Sequence, residues 1–240
     1  MTRRLTDHSV LTFDSYGTLI DWETGIWDAF QPLLVENPPT GLERDALITA
    51  FNHLEAEQQC AAPTMSYPTV LECVHRALAE DLELKTSPML DHAFGASVPS
   101  WPAFPDSADS LSFLSGHFGL VILSNVDRAG FAASNTLLGV EFDAVYTAED
   151  IGSYKPDPSN FEYLIEHVES DLGYGKSDIL HTAQGIRHDQ IPARAIGLAN
   201  AWIDRTRLSE TGMAGLPATD HLFFSMAEMA AAVKTEVASR

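Results

Sequence analysis

Val10-Leu11-Thr12-Phe13-Asp14-Ser15-Tyr16-Gly17-Thr18-Leu19 sets a short β-rich run directly against a carboxylate and a glycine-containing turn. Such a run reads as a strand that ends where Asp14 begins. Outward from it, four more runs behave alike: Leu120–Leu123 before Ser124-Asn125, Ala144–Thr147, Ile179–Ala183, and Leu198–Ile203. Continuous apolar runs suit strands covered on both faces, the pattern of a parallel sheet. Between them lie helical stretches. Asp106 to Leu114 opens with an expected capping Asp, and 158–168 carries Phe161, Leu164, Ile165 and Val168 at helical spacing. A shorter helix is expected over 190–196, and a terminal one in the Ala-rich tail. Strand and helix alternate from about residue 105 onward, which predicts a doubly wound α/β sheet.

Roughly a hundred residues without strand character separate the first two strands. Leu42 to Gln59 and Thr69 to Leu84 have helical patterns, and the Pro-rich VPSWPAFPD stretch reads as the return linker. The expected division is therefore an α/β unit of 1–21 plus 101–240 and an all-helical insertion of 22–100.

The chain has 240 residues, with 34 Asp and Glu against 14 Lys and Arg, a formal net charge of −20. That balance repels nucleic-acid backbones and anionic membranes, so neither is an expected partner. A small anionic substrate would need positive groups supplied locally. No apolar run approaches the ~18 residues of a membrane span. The opening MTRRLTDHSV lacks the apolar core of a secretory signal, and the cysteines, Cys60 and Cys73, are too few for a disulfide framework. A cytoplasmic enzyme is the expectation.

In an open α/β sheet, ligands bind beyond the carboxyl ends of the strands. Asp14, Ser124, Asn125 and Asp189 fall there, with Lys155 in the loop GSYKPDP after the third strand. Taken singly, each has a plainer reading: Asp as a turn cap, Ser-Asn as turn chemistry, Lys as a solvated loop residue. Together, in this order, they suit a carboxylate nucleophile beside an anion pocket.

The runs LTFDSYGTLIDW, VILSNVD, SYKPDP and HTAQGIRHDQIPARAIGLANAWIDR resemble, in order, the four motifs of the haloacid dehalogenase (HAD) superfamily of hydrolases. The resemblance covers almost the whole chain and implies that the helical insertion is a mobile cap. Phosphatases of this superfamily carry an acid two residues after the nucleophile and a Gly-Asp pair that binds Mg²⁺. Here those positions hold Tyr16 and Ala183-Gln184. Both departures resemble the L-2-haloacid dehalogenase branch, which needs no metal or other cofactor.

The resemblance then implies roles. Asp14 attacks the substrate α-carbon and forms an aspartyl ester, Lys155 keeps Asp14 ionised, and Asp189 orients or activates the hydrolytic water. Ser124, Asn125 and backbone N–H groups after Asp14, beginning at Ser15, bind the substrate carboxylate. Tyr16, Gln184 and His188 line the pocket, with His188 either a base or a wall. The arginine that abstracts halide in better-known dehalogenases falls at Ala50, with Arg44 nearby; their motif-three Tyr falls at Phe161, and Ile186 stands where their motif four has Asn. Homodimers are common in that branch, so a homodimer stays open. Two other readings also stay open: a Mg²⁺-dependent phosphatase for a small phosphorylated metabolite, and a non-catalytic binding protein that keeps the fold.

Overall fold

The computed structural model describes residues 3–239, so Met1, Thr2 and Arg240 at the ends of the expected α/β unit lie outside the described residues. In chain order the elements are β1 (Val10–Phe13), α1 (Trp22–Glu36), α2 (Arg44–Ala61), α3 (Tyr67–Asp81), α4 (Pro88–Gly95), α5 (Ser107–Leu114), β2 (Gly119–Ser124) and α6 (Arg128–Leu138). There follow β3 (Ala144–Thr147), α7 (Ala148–Ile151), α8 (Pro158–Leu172), β4 (Ile179–Ala183), α9 (Ile191–Ala195), β5 (Ala199–Ile203), β6 (His221–Phe223) and α10 (Met226–Ala238).

The six strands form one parallel sheet in the order β3-β2-β1-β4-β5-β6. Alternation along each strand divides the core in two. Leu11, Phe13, Leu120, Ile122 and Leu180 join α5, α6 and α10 on one face. Val10, Val121, Leu123 and Ile179 pack under α8 and α9 through Phe161, Leu164, Val168 and Ala193 on the other. Burying each such side chain contributes about 1.5–3 kcal/mol, which is why uninterrupted apolar runs end up with both faces covered. The doubly wound sheet agrees with the sequence expectation, and β1 sits at its centre, where the chain's winding reverses direction.

Several elements differ from that expectation. The edge strand β6 is only three residues long, with Leu222 exposed, so it offers too little periodicity to be read. α1 escapes the pattern because Gly25 and Pro32 lie within it. The glycine is needed there: a Cβ on Gly25 would lie 2.2 Å from Cγ of the fully buried Trp101. Asp106 precedes α5 but does not cap it with its side chain. Its carboxylate instead pairs with Arg205 at 3.1 Å and accepts from the Ala227 N–H. Between β4 and α9 the backbone makes a π-type turn over Ile186–Gln190, so the expected regular helix begins only at Ile191. Among the described residues no helix is long and apolar enough to cross a membrane.

The helices α1 to α4 contact one another in the pairs α1·α2, α2·α3, α3·α4 and α1·α4. They meet the sheet unit around Trp101, whose indole packs edge-on to Tyr16 at 5.4 Å and to Tyr67 at 6.5 Å. A second tie runs from the Tyr154 hydroxyl to the Met65 carbonyl at 2.6 Å.

Candidate active site

Asp14 continues β1 by one residue, its N–H donating to the Thr182 carbonyl of β4. The chain then folds back sharply, Gly17 taking φ +96°, a conformation that disfavours any side chain. This return brings the Thr18 hydroxyl to Asp14, donating to Oδ2 at 2.8 Å. The same hydroxyl accepts from the Gln184 N–H at 2.8 Å, so the β1 turn and the β4 turn hold one another.

Lys155 reaches Asp14 from the loop before α8. Asn125, just past β2, holds that loop by a two-point pairing: its Oδ1 accepts from the Lys155 N–H at 2.7 Å and its Nδ2 donates to the Lys155 carbonyl at 3.0 Å. The side chain is 1% exposed, and all three ammonium donors are used. They go to Asp14 Oδ1 at 2.9 Å, the Leu123 carbonyl at 2.9 Å and Asp189 Oδ1 at 2.6 Å.

Asp189 enters from the π-type turn, which Gln190 pins by donating to the carbonyls of Ala183 and Ala201. Its Oδ1 also meets His181 Nε2 at 3.0 Å, and His181 Nδ1 meets the Thr12 hydroxyl at 2.9 Å. Two buried carboxylates thus share one ammonium, and they divide its effect unequally. Burial would raise Asp189, but Lys155 and His181 overcome it and hold the carboxyl at about 2. At Asp14 burial prevails over Lys155 and Thr18, so its carboxyl lies above the ordinary value and is the more basic of the two. Burial would also lower Lys155, yet the two carboxylates raise it. Asp14 is therefore suited to attack and Asp189 to remain a fixed negative charge.

These three residues line a cavity of about 270 Å³ with Tyr16, Asn125, Gln184 and His188 on the sheet side. The facing side comes from the helical insertion: Trp22, Glu55, Gln59 and Tyr67. Tyr16 donates to or accepts from Ser134 at 2.9 Å, and burial raises its phenol well above the ordinary value, so it is uncharged. Gln184 is anchored by its backbone, the carbonyl accepting from Trp202 at 3.1 Å, which leaves its carboxamide to the cavity. Burial lowers His188, so it is neutral at pH 7.

Other expected residues stand elsewhere. Ser15 and Ser124 are buried, line none of the cavity, and have hydroxyls without a partner among the described residues. Ser124 ends β2, while Asn125 spends its amide on the Lys155 backbone. Arg44 donates to Thr24 at 2.8 Å and lies 4.0 Å from Asp21, outside this cavity. Phe161 packs edge-on against His181 on the far side of β4, at 5.4 Å.

His181, Glu55, Gln59 and Tyr67 went unread as site residues. Glu55 and Gln59 did leave a trace: Leu47, Phe51, Glu55 and Gln59 are four apart, so two polar residues continue the buried stripe of α2.

The donor set does not fit a magnesium ion. Asp14 and Asp189 are both spent on Lys155, and position 184 offers a carboxamide where a hard cation prefers a carboxylate. Among the described residues no group of three or more His, Cys, Asp or Glu is arranged to hold a metal.

A family model described as haloacid dehalogenase-like hydrolase matches residues 8–181. A sequence comparison with curated proteins finds no match. Among solved structures, the L-2-haloacid dehalogenase from Xanthobacter autotrophicus is similar at TM-score 0.76 and 17% identity, covering 95% of this chain and 98% of that one. The defluorinating L-2-haloacid dehalogenase Rha0230 has TM-score 0.75 at 20% identity, covering 97% and 98%. The HAD-hydrolase YfnB from Bacillus subtilis, solved with magnesium, has TM-score 0.75 at 18% identity, covering 97% and 100%. At these identities the likeness is one of fold.

Proposed function

The chain belongs to the haloacid dehalogenase-like hydrolases, and from that premise we propose that it hydrolyses the carbon–halogen bond of short (S)-2-haloalkanoic acids to (R)-2-hydroxy acids. One observation carries this reading: the Lys155 ammonium bridges Asp14 and Asp189 while Tyr16 and Gln184 occupy the places of a leaving-group acid and a metal carboxylate. Such a site has a nucleophile but lacks the equipment for phosphoryl transfer, which needs several negative oxygens neutralised and a leaving oxygen protonated. Displacement at carbon by a carboxylate needs neither.

In this mechanism an Asp14 carboxylate oxygen bonds to the α-carbon as the carbon–halogen electron pair departs with the halide, inverting the centre. The substrate carboxylate is met by the Gln184 carboxamide and by backbone N–H groups of the turn after Asp14, since Lys155 has no donor left and the Asn125 amide is spent on the Lys155 backbone. Water then attacks the Asp14 carboxyl carbon and the acyl carbon–oxygen bond breaks, so the 2-hydroxy acid leaves, protonated, with the former Asp14 oxygen on its α-carbon and the water oxygen takes that place in the Asp14 carboxylate. Asp189, held at about 2, is too weak a base to take the water's proton and instead orients it. The neutral imidazole of His188 accepts that proton.

The test is halide release from L-2-chloropropionate before and after exhaustive EDTA treatment, beside a panel of phosphate monoesters. Metal-independent chloride release is the expected result. Phosphatase activity lost to EDTA and restored by Mg²⁺ would overturn the reading.

A further inference from the structure

α2 crosses the cavity opposite Asp14. Its buried stripe begins with Leu47, Ile48 and Phe51 and then turns polar at Glu55 and Gln59, both of which line the cavity. Gln59 is 5% exposed, and its carboxamide nitrogen has no hydrogen-bond partner among the described residues. Buried donors are nearly always satisfied, so an orphan at a cavity wall marks a place for an acceptor from outside the chain. One turn earlier, Glu55 Oε1 accepts from the Tyr67 hydroxyl at 2.7 Å, and among the described residues no cation pairs with it. Arg44 is committed to Thr24 and Asp21, and every donor of Lys155 is taken.

In-line displacement settles what arrives at this wall. A group expelled by Asp14 leaves on the side opposite the attacking oxygen, away from the sheet and toward α2. We propose that the leaving halide is received by uncharged donors on α2, the Gln59 N–H and the protonated carboxyl of Glu55, in the role an arginine would otherwise fill. Tyr67 holds Glu55 Oε1 as an acceptor, so the proton belongs on Oε2. The halide departs with its electron pair, accepts both hydrogen bonds, and takes up no proton. Burial supports this state by raising Glu55 to about 7. An ionised Glu55 would repel the departing anion.

The inference rests on the dehalogenase reading, and its test separates the two. Gln59→Leu and Gln59→Glu are assayed on L-2-chloropropionate, with sodium bromide as a product-like inhibitor and thermal unfolding to check the fold. Gln59→Leu should lower kcat about 10- to 100-fold with KM within about 2-fold, and weaken bromide inhibition about tenfold. Gln59→Glu should be worse on both counts. Glu55→Gln, which keeps an uncharged donor, should be less damaged than Glu55→Leu. Chloride release by the wild type together with unchanged kcat and bromide inhibition in Gln59→Leu would overturn the inference alone. A wild type that releases no chloride would remove the dehalogenase reading and this inference with it.

Discussion

The two walls of the cavity are built on opposite principles. On the sheet side, Asp14, Lys155 and Asp189 are charged, buried and mutually saturated, with each ammonium donor spoken for. On the helical side, among the described residues, Glu55, Tyr67 and Gln59 are held without a cation and Gln59 carries an unused donor. A saturated ionic cluster is stiff and preorganised, so it suits the groups that make and break the covalent bond to the enzyme. A neutral, incompletely bonded wall suits a group that must arrive, be held briefly and depart. In the proposed reaction, charge does the chemistry on one side and spare hydrogen bonding selects on the other.

The largest effect should come from the sheet side. Asp14→Asn should reduce turnover by about three or more orders of magnitude with the fold intact, read by single-turnover chloride release. In ¹⁸O-water the wild type should place label in the Asp14 carboxylate; label found only in the hydroxy acid would mean direct attack by water.

Lys155 comes next, and its burial excludes the plainer reading of a solvated loop lysine. Lys155→Met should lower kcat about 10³-fold and also destabilise the chain by about 3–5 kcal/mol, because two buried carboxylates lose their shared counter-charge. Lys155→Arg should restore neither fully, since a planar fork does not fit a three-point ammonium site. Denaturant unfolding that matched the wild type would show that the carboxylates do not depend on Lys155 for stability.

The seam between the walls offers a smaller perturbation. Gly25→Ala forces a methyl against the Trp101 ring and should cost about 1–3 kcal/mol in thermal unfolding. It should change kcat and KM together through displacement of the helical wall, while the charged cluster is untouched.

The smallest expected effect is in the pH profile. Ionisation of Glu55 near 7 removes a donor, so kcat should fall by up to about tenfold between pH 6 and 8. The tyrosines and His188 around Glu55 do not mimic this limb. Burial keeps Tyr67 and Tyr154 protonated throughout, and His188, lowered by burial, loses its proton at lower pH and so gives a rising limb. Asp14, Lys155, Glu23, Arg187 and Asp189 also border the cavity. Asp189 and Lys155 titrate far from this range, at about 2 and above the ordinary lysine value. Glu55→Gln should abolish the falling limb; its persistence would assign it to another group.

Much of the sheet side was legible in the residues. Leu120–Leu123 is apolar over its whole length and Val10–Phe13 is broken only by Thr12, and such runs bury both faces whatever the rest of the chain does. Polar residues that end such runs collect on one edge of a parallel sheet, which is how Asp14, Asn125 and Asp189 could be assigned to one crevice. What was not legible there is subtler. Whether Ser124 or Asn125 faces the crevice depends on the last half-turn of backbone, and His181 looked like any strand histidine until Asp189 met it.

By itself the sequence determined a parallel α/β sheet with a carboxylate and a lysine at its carboxyl edge, because strand burial and strand ends are local properties of short segments. Only the tertiary structure decided that Lys155 is fully buried between two carboxylates and that Glu55 and Gln59 are walls rather than solvated helix residues. On an isolated helix those two side chains would face water. Their burial exists because the helical insertion meets the sheet unit around Trp101, flanked by Tyr16 and Tyr67, and no residue's neighbours in the chain record a contact made across that distance.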